Sequence, residues 1–116
     1  MKSASIHLIS TALLVALSLP AAFAQSSEAP VRTIWDGVYR QAQAERGRKT
    51  FEGNCTTCHD PGRFTGDDFV THWSGQPLHA LFDIMSTTMP EDNPGALSPQ
   101  QYADVLSYFL KLNAYP

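Results

Sequence analysis

The sequence predicts an all-α domain, and three observations support this fold class. Apolar residues recur every three to four positions in four stretches between residues 41 and 113, as is typical of amphipathic helices. The run Ser98-Pro99-Gln100-Gln101 marks a helix start, with a serine cap, a proline first and a glutamine third. No stretch shows the alternating pattern of a half-buried strand.

The first 24 residues match a secretory signal peptide. A single basic residue, Lys2, precedes a mostly apolar run over residues 6–19, and Ala22-Phe23-Ala24 supplies a small-residue cleavage site. An uncleaved membrane anchor is the alternative, but the run falls short of the about 18 clean apolar residues that a span needs. We expect export to the periplasm and a mature chain of 92 residues without a membrane span.

Residues 25–40 are predicted to form a leader and an N-terminal extension, and residues 41–116 the folded domain. The leader is polar and has no periodicity, as expected of a flexible terminus. Residues 33–39 include Trp35 and three further apolar side chains, which is too apolar for a free tail. We expect this segment to pack over the domain; a partner-binding arm is the alternative.

The first predicted helix covers residues 41–53, which are rich in strong helix formers. Ala44, Gly47, Arg48 and Phe51 fall on one face of it. A glycine inside a helix costs about 1 kcal/mol relative to alanine. Gly47 therefore indicates a point at which another helix crosses closely.

This helix leads directly into the sequence C-T-T-C-H, from Cys55 to His59. Two thiols three positions apart lie on one side of a helical turn, where they can add to the two vinyl groups along one porphyrin edge. The next residue, His59, can then present its imidazole to the iron. The pattern C-x-x-C-H predicts attachment of a c-type haem.

The alternatives for the motif are a redox dithiol and half of a zinc site. A dithiol of the thioredoxin type expects a βαβ surround, and a zinc site needs two more ligands; the sequence supplies neither. A mature chain this short also needs reinforcement of its core. With only two cysteines, three positions apart, a disulfide would close a trivially small loop, whereas a covalently bound haem would supply the missing core.

Turn and capping signals set the remaining elements. Residues 59–64 form a turn by their Asp-Pro-Gly content, and Thr65 to Asp68 match a loose capping box before a short helix over 67–73. Pro77 is placed at the first position of the next helix, which ends near residue 87. A loop over 88–95 precedes the last helix, predicted over residues 99–113.

Met89 is the preferred second axial ligand. It lies in a loop beside Pro90, which biases it away from the helical region, so a fixed loop can hold its thioether against iron. The alternatives are His72 and His79 on the short helices, an open sixth site, and Met85, whose place on an apolar face favours a core role.

Four features resemble the class I c-type cytochromes. They are the helix with Gly47 and Phe51, the C-T-T-C-H motif, the T-M-P sequence at residues 88–90, and the final helix with D-V-L-S-Y-F-L. The resemblance implies three to five helices wrapped around one covalently bound haem, with thioethers to Cys55 and Cys58 and axial bonds from His59 and Met89. It also implies that the first and last helices cross, so that Gly47 and Phe51 meet Val105, Tyr108 and Phe109.

A narrower resemblance rests on the W-D-G-V-Y and L-S-P-Q-Q-Y-A-D runs. These are similar to small monohaem periplasmic cytochromes that accompany quinoprotein alcohol dehydrogenases. Many relatives carry a Gly-Pro pair whose proline carbonyl accepts the axial histidine N–H, but here only Pro61 and Pro77 lie between the two ligands, which leaves the acceptor open. Trp73 is either a donor to a haem propionate, as in some relatives, or ordinary core.

The predicted function is one-electron transfer rather than enzymatic catalysis. Loss of Lys2 leaves seven basic against eleven acidic side chains, a net charge of −4, which argues against nucleic acid and favours a basic docking patch on the partner. The expected partners are a periplasmic dehydrogenase or membrane cytochrome complex and a terminal oxidase or reductase. The alternatives are a haem subunit of a larger dehydrogenase and a haem sensor or enzyme with an open sixth site.

Overall fold

A computed structural model describes residues 32–116, so the predicted signal peptide and nearly all of the leader lie outside the described residues. Within this range the chain is helical and contains no strand, which confirms the all-α class. None of the helices in this part of the chain is long and apolar enough to cross a membrane. The α-helices are α1 Gln41–Asn54, α2 Gly66–Trp73, α3 Leu78–Thr88 and α4 Pro99–Leu112, and 3₁₀ turns form at Ile34–Asp36 and Pro61–Phe64.

Helix α1 buries the face that the sequence predicts. Ala44, Gly47 and Phe51 are buried, and Phe51 is almost completely enclosed. Arg48, which was expected on the same face, lies at its edge instead. Its guanidinium stays half-exposed and forms ion pairs with Glu45 and Glu52 one turn away on either side.

Helix α4 starts where the sequence predicts, because both halves of its capping box form. The Ser98 hydroxyl accepts the Gln101 N–H (3.2 Å), and the Gln101 side-chain oxygen accepts the Ser98 N–H (2.9 Å). Pro99 occupies the first turn, where its missing N–H is no loss. From Tyr102 onward nearly every residue to Leu110 is buried, so α4 is the central helix of the domain.

The crossing of α1 and α4 brings two backbones into contact at Gly47. A Cβ atom added at Gly47 would lie 1.8 Å from the carbonyl oxygen of Asp104 and 2.9 Å from the backbone nitrogen of Val105. One turn further along α1, the Phe51 ring lies 5.8 Å from Tyr108 and 5.7 Å from Phe109 between centroids. The predicted close approach is confirmed, and its nearest atom is a backbone carbonyl.

A buried carboxylate ties the two crossing helices together. Asp104 is only 3% exposed, and both of its oxygens are engaged. Arg46 of α1 donates from Nε to one oxygen (2.8 Å) and from a terminal nitrogen to the other (3.1 Å), and Gln100 adds a third bond (2.7 Å). The charge is therefore paired and fully hydrogen-bonded, which is the condition for burying it.

The segment after the motif is fastened to the end of α4. The Phe64 ring stacks on Phe109 with centroids 4.3 Å apart and planes only 6° from parallel. The Asn113 amide donates to the carbonyls of Phe64 and Phe109, both at 2.8 Å, and its oxygen accepts the Gly66 N–H at 3.1 Å. The Asn113 side chain thus provides hydrogen-bond partners for backbone groups of two segments and fixes the start of α2.

Two predicted helix starts differ from the structure. Thr65 makes no side-chain cap, because Gly66 follows it with a left-handed backbone (φ 81°) and not with the helical dihedrals of a regular first position. The Gly66 N–H donates to Asn113. Helix α2 therefore begins at Gly66 without the expected capping box. Pro77 stands just before α3 as its cap residue, with an extended backbone, rather than at the first helical position.

The N-terminal extension packs against the C-terminus of the chain. Trp35 lies edge-on to Tyr115 with ring centroids 4.9 Å apart, and the Tyr39 hydroxyl donates to the Tyr115 carbonyl (2.8 Å). Thr33 and Asp36 close a small capping box around the 3₁₀ turn. Trp35 nevertheless remains 69% exposed.

We predict that Gly47→Ala lowers the free energy of unfolding of the matured protein by about 3 kcal/mol or more, because the added methyl group overlaps a backbone carbonyl that cannot turn aside. Gly53→Ala is the matched control, since it lies in the same helix with open space around its Cβ position and should be neutral or slightly stabilising. Chemical denaturation measures both. Equal stability of the two variants would contradict the close crossing.

We predict that Asn113→Ala costs about 1–2 kcal/mol of stability through loss of its hydrogen bonds to two segments. The effect should be local: amide hydrogen exchange should accelerate at Gly66 and its neighbours more than at the α1–α4 crossing. Gln76→Ala, at an exposed loop position, serves as the control. Uniform acceleration across the domain would show that Asn113 does not act as a local fastening.

Candidate functional site

A cavity of about 940 Å³ lies between the end of α1, the following turn and helices α2 to α4. Its size is at the upper end of the range of about 300–1,000 Å³ for small-molecule and cofactor sites. The walls are mostly apolar and aromatic. The apolar lining consists of Phe51, Phe64, Phe69, Trp73, Leu81, Ile84, Met85, Leu97, Val105 and Phe109.

The cysteine–histidine motif forms one wall of this cavity. The chain continues past α1 as one further turn: the Cys55 N–H donates to the Phe51 carbonyl (2.8 Å), and the Cys58 and His59 N–H groups both donate to the Cys55 carbonyl (3.2 and 2.9 Å). This turn brings both cysteines and the histidine to the same cavity. The predicted grouping of Cys55, Cys58 and His59 is therefore present in the structure.

The thiol environment disfavours a redox dithiol. Both cysteines are free; Cys58 is exposed, whereas Cys55 is half-buried and burial raises the pKa of its thiol. Redox-active dithiols depend on a lowered thiol pKa that supplies thiolate at neutral pH. A zinc site finds no support either, since within residues 32–116 no three His, Cys, Asp or Glu side chains come together as a cation site.

His59 has an unusual environment for a histidine in an apolar wall. Its ring meets the edge of Phe64 with centroids 5.4 Å apart. Among the described residues, its Nδ1 is the one buried side-chain nitrogen or oxygen without a hydrogen-bond partner. Thus no carbonyl of this part of the chain orients the imidazole, neither that of Pro61 nor that of Pro77, and Phe64 makes the contact to the ring. Native structures rarely leave a buried polar atom unpaired without a functional reason.

Met89 reaches the same cavity from the other side of the fold. It is the residue at which α3 ends, with an extended backbone (φ −121°, ψ 150°) and its N–H still donated to the Met85 carbonyl. Its own carbonyl accepts the Tyr102 hydroxyl at 2.6 Å. The side chain is half-buried and lines the cavity, in the loop position that the sequence predicts.

The alternative axial donors occupy less favourable places. Met85 also lines the cavity, but it is buried on α3 within the hydrophobic cluster of the domain. His72 lies at the rim, exposed, with its ring 5.2 Å from that of Trp73, while His79 is exposed and does not line the cavity. Trp73 is half-buried in the wall, a position compatible with either of its two predicted roles.

Sequence reasoning missed the part that Tyr102 plays at this site. It did not connect Tyr102, a residue of the last predicted helix, to Met89. A usable signal existed, because a buried tyrosine hydroxyl needs a hydrogen-bond partner. Charged residues at the rim, Arg63, Asp68, Glu91 and Asp92, carried no local pattern that could have identified them.

These residues fit a c-type haem. A large apolar cavity suits a porphyrin, the paired cysteines suit thioether attachment, and an imidazole with a thioether from another element matches one of the axial pairs found in c-type cytochromes. His59 lines the same cavity as the two cysteines, and the position of its ring there agrees with a ligand role. The predicted cofactor therefore agrees with the donors and the space that the chain provides.

Residues 42–109 match the family model described as cytochrome c oxidase, cbb3-type, subunit III. The matched region is more than half of the chain and contains the cysteine–histidine motif, Met89 and most of α4. No curated protein and no solved structure matches the chain. The chain belongs to the family of that model, cytochrome c oxidase cbb3-type subunit III, and is therefore a c-type cytochrome, a haem protein of electron transfer.

Proposed function

We propose that this chain is a periplasmic one-electron carrier with a single haem c, attached through Cys55 and Cys58 and held axially by His59 and Met89. The observation that carries the proposal is that all four side chains line one apolar cavity although they come from two separate parts of the chain. The family assignment supports haem binding and electron transfer.

The residues around the cavity would have three tasks: attachment of the cofactor, its orientation and the exclusion of water. Cys55 and Cys58 fasten one edge of the cofactor to the turn after α1, and His59 follows on the same turn. Met89 approaches from the end of α3, and the aromatic wall keeps water away. Haem c, when bound, supplies reversible one-electron exchange.

The axial pair decides which chemistry is favoured. A thioether ligand raises the reduction potential relative to a second histidine, because soft sulfur favours the ferrous state. With His59 and Met89 both bound to the iron, no coordination position would be open to oxygen or peroxide. This arrangement suits electron transfer without catalysis and argues against a sensor or enzyme with an open site.

Charge at the cavity rim indicates the kind of partner. Asp68, Glu91 and Asp92 are exposed there, against a single basic residue, Arg63. A partner with a basic patch would be steered to this rim, and its encounter would weaken with salt. Small, transient contacts are expected of such a carrier.

The resemblance and the family indicate which electron donor and acceptor to test first. The similarity to cytochromes that accompany quinoprotein alcohol dehydrogenases makes such a dehydrogenase the first donor to test, with a membrane cytochrome complex as the alternative. The family description makes a terminal oxidase the first acceptor to test, before a reductase. Domains of this family are typically extracytoplasmic, in agreement with the signal peptide predicted over residues 1–24.

A second function, a haem subunit held permanently in a larger complex, is favoured by one observation. Trp35 of the N-terminal extension is 69% exposed and offers an aromatic side chain to a permanent partner, a residue type that interfaces favour. Purification of the matured protein from its periplasm separates the two functions. A carrier elutes alone, whereas a subunit elutes with a stoichiometric partner that survives high salt.

The absorption spectrum and the haem extraction behaviour of the matured protein test the central proposal. We expect a c-type absorption spectrum, pigment that stays with the protein in acid acetone, and a weak far-red sulfur-to-iron band in the oxidised form. A colourless protein, or pigment that is extracted, would refute covalent haem. A coloured protein without the far-red band would refute Met89 ligation alone.

We predict that Cys55→Ala matures to little holoprotein, because only one thioether can form. Thr57→Ala is the matched control, since it lies between the two cysteines and leaves the C-x-x-C-H pattern intact. Haem staining and absorbance per protein measure both yields. Normal yield with full, non-extractable haem in Cys55→Ala would contradict the attachment assignment.

We predict that Met89→Leu abolishes the far-red band and lets the ferrous protein bind carbon monoxide readily, because leucine has a similar volume but no sulfur. Met85→Leu is the control and should keep the band, since Met85 is assigned to the core. The opposite result, with the band lost only in Met85→Leu, would assign the axial ligand to Met85 instead. Ready binding of carbon monoxide by the unaltered protein would favour an open sixth site.

A further inference from the structure

We propose that Tyr102 is a positioning residue for the axial methionine: its hydroxyl holds both ends of the loop from Met89 to Leu97 against α4. The inference rests on the proposed function, because it concerns the same axial ligand. By this inference, a residue of the last helix helps to set the strength of the bond between the methionine sulfur and the iron.

The Tyr102 hydroxyl makes two hydrogen bonds to this loop. It donates to the Met89 carbonyl at 2.6 Å and accepts the Leu97 N–H at 3.4 Å. The first bond is short and fixes the residue whose side chain lines the cavity. The second holds the other end of the same loop, next to the cap of α4, so a single oxygen joins both ends.

The tyrosine itself is firmly held. It is 4% exposed, lies in the first turn of α4 and meets Phe82 of α3 edge-on with ring centroids 6.3 Å apart. Helix α4 in turn is fixed by its close crossing with α1 at Gly47. The hydroxyl therefore attaches a loop without regular secondary structure to the packed pair of helices α1 and α4.

The remaining support for the Met89 backbone is weaker. The Met89 carbonyl also accepts the Gly95 N–H, but at 3.3 Å and from within the same loop. That bond therefore does not attach the loop to the rest of the fold. Its N–H continues the last turn of α3. Without the hydroxyl, the Met89 carbonyl would keep only the bond from Gly95 within its own loop, and the thioether would leave the iron more often.

The test is Tyr102→Phe in the matured holoprotein, which removes one oxygen and keeps the ring. Imidazole is titrated against the ferric protein while the far-red band is followed. Loss of the hydroxyl leaves the Leu97 N–H without its partner and the Met89 carbonyl with only the long bond from Gly95. Imidazole should then displace the thioether at about tenfold lower concentration. Haem content and the Soret band should be unchanged.

Tyr108→Phe is the matched control. Tyr108 is a buried tyrosine of the same helix that packs on Phe51 and Phe109, does not line the cavity, and makes no hydroxyl hydrogen bond within the described residues. Its imidazole titration should equal that of the unaltered protein. A general weakening of the core would shift both variants alike.

The outcomes separate this inference from the proposed function. Unchanged imidazole competition in Tyr102→Phe, with the far-red band present and lost in Met89→Leu, would overturn the positioning role and leave the ligand assignment intact. A far-red band that survives Met89→Leu would overturn both. A shift of similar size in Tyr108→Phe would also overturn the positioning role, because it would show a packing effect.

Discussion

The contact between α1 and α4 at Gly47 is the constraint on which the rest of the structure depends. Backbone lies against backbone there, since even a methyl group would overlap the Asp104 carbonyl. The crossing sets the direction in which α1 ends, and so the place where the motif begins at Cys55. It also fixes the first turns of α4, which carry Tyr102 to the methionine loop. One close approach thus positions both sides of the site.

The aromatic side chains pack around a cavity rather than filling a closed core. Phe64 stacks on Phe109, Phe51 meets both rings edge-on, and the three together back the wall beside His59. A domain of this size buries only about 60% of its unfolded surface, and the cavity of about 940 Å³ leaves part of its apolar interior uncovered. A bound apolar cofactor would complete this core and stabilise the fold by covering its apolar walls.

Local signals in the sequence predicted much of this fold, and tertiary contacts account for the errors. The capping box at Ser98 formed because both partners lie within one turn. The box expected at Thr65 did not form, because Gly66 has a left-handed backbone, and its N–H is held by Asn113, which is distant in sequence. For the same reason the pairing of Asp104 with Arg46, 58 positions away, could not be read from either residue alone. The grouping of candidate ligands was predictable since one motif contains most of it.

The two candidate axial residues are held in different ways, and this difference decides which side of the site is mobile. His59 follows a helix and is fastened by backbone hydrogen bonds within its own turn and by contact with Phe64. Met89 stands where a helix ends, and its loop is tied to the domain chiefly by the Tyr102 hydroxyl. Local opening occurs first where few buried contacts hold the backbone. Under the proposed ligation, the histidine side is the better-fastened support, and Tyr102 of α4 is the main tie from the helix pair to the methionine side.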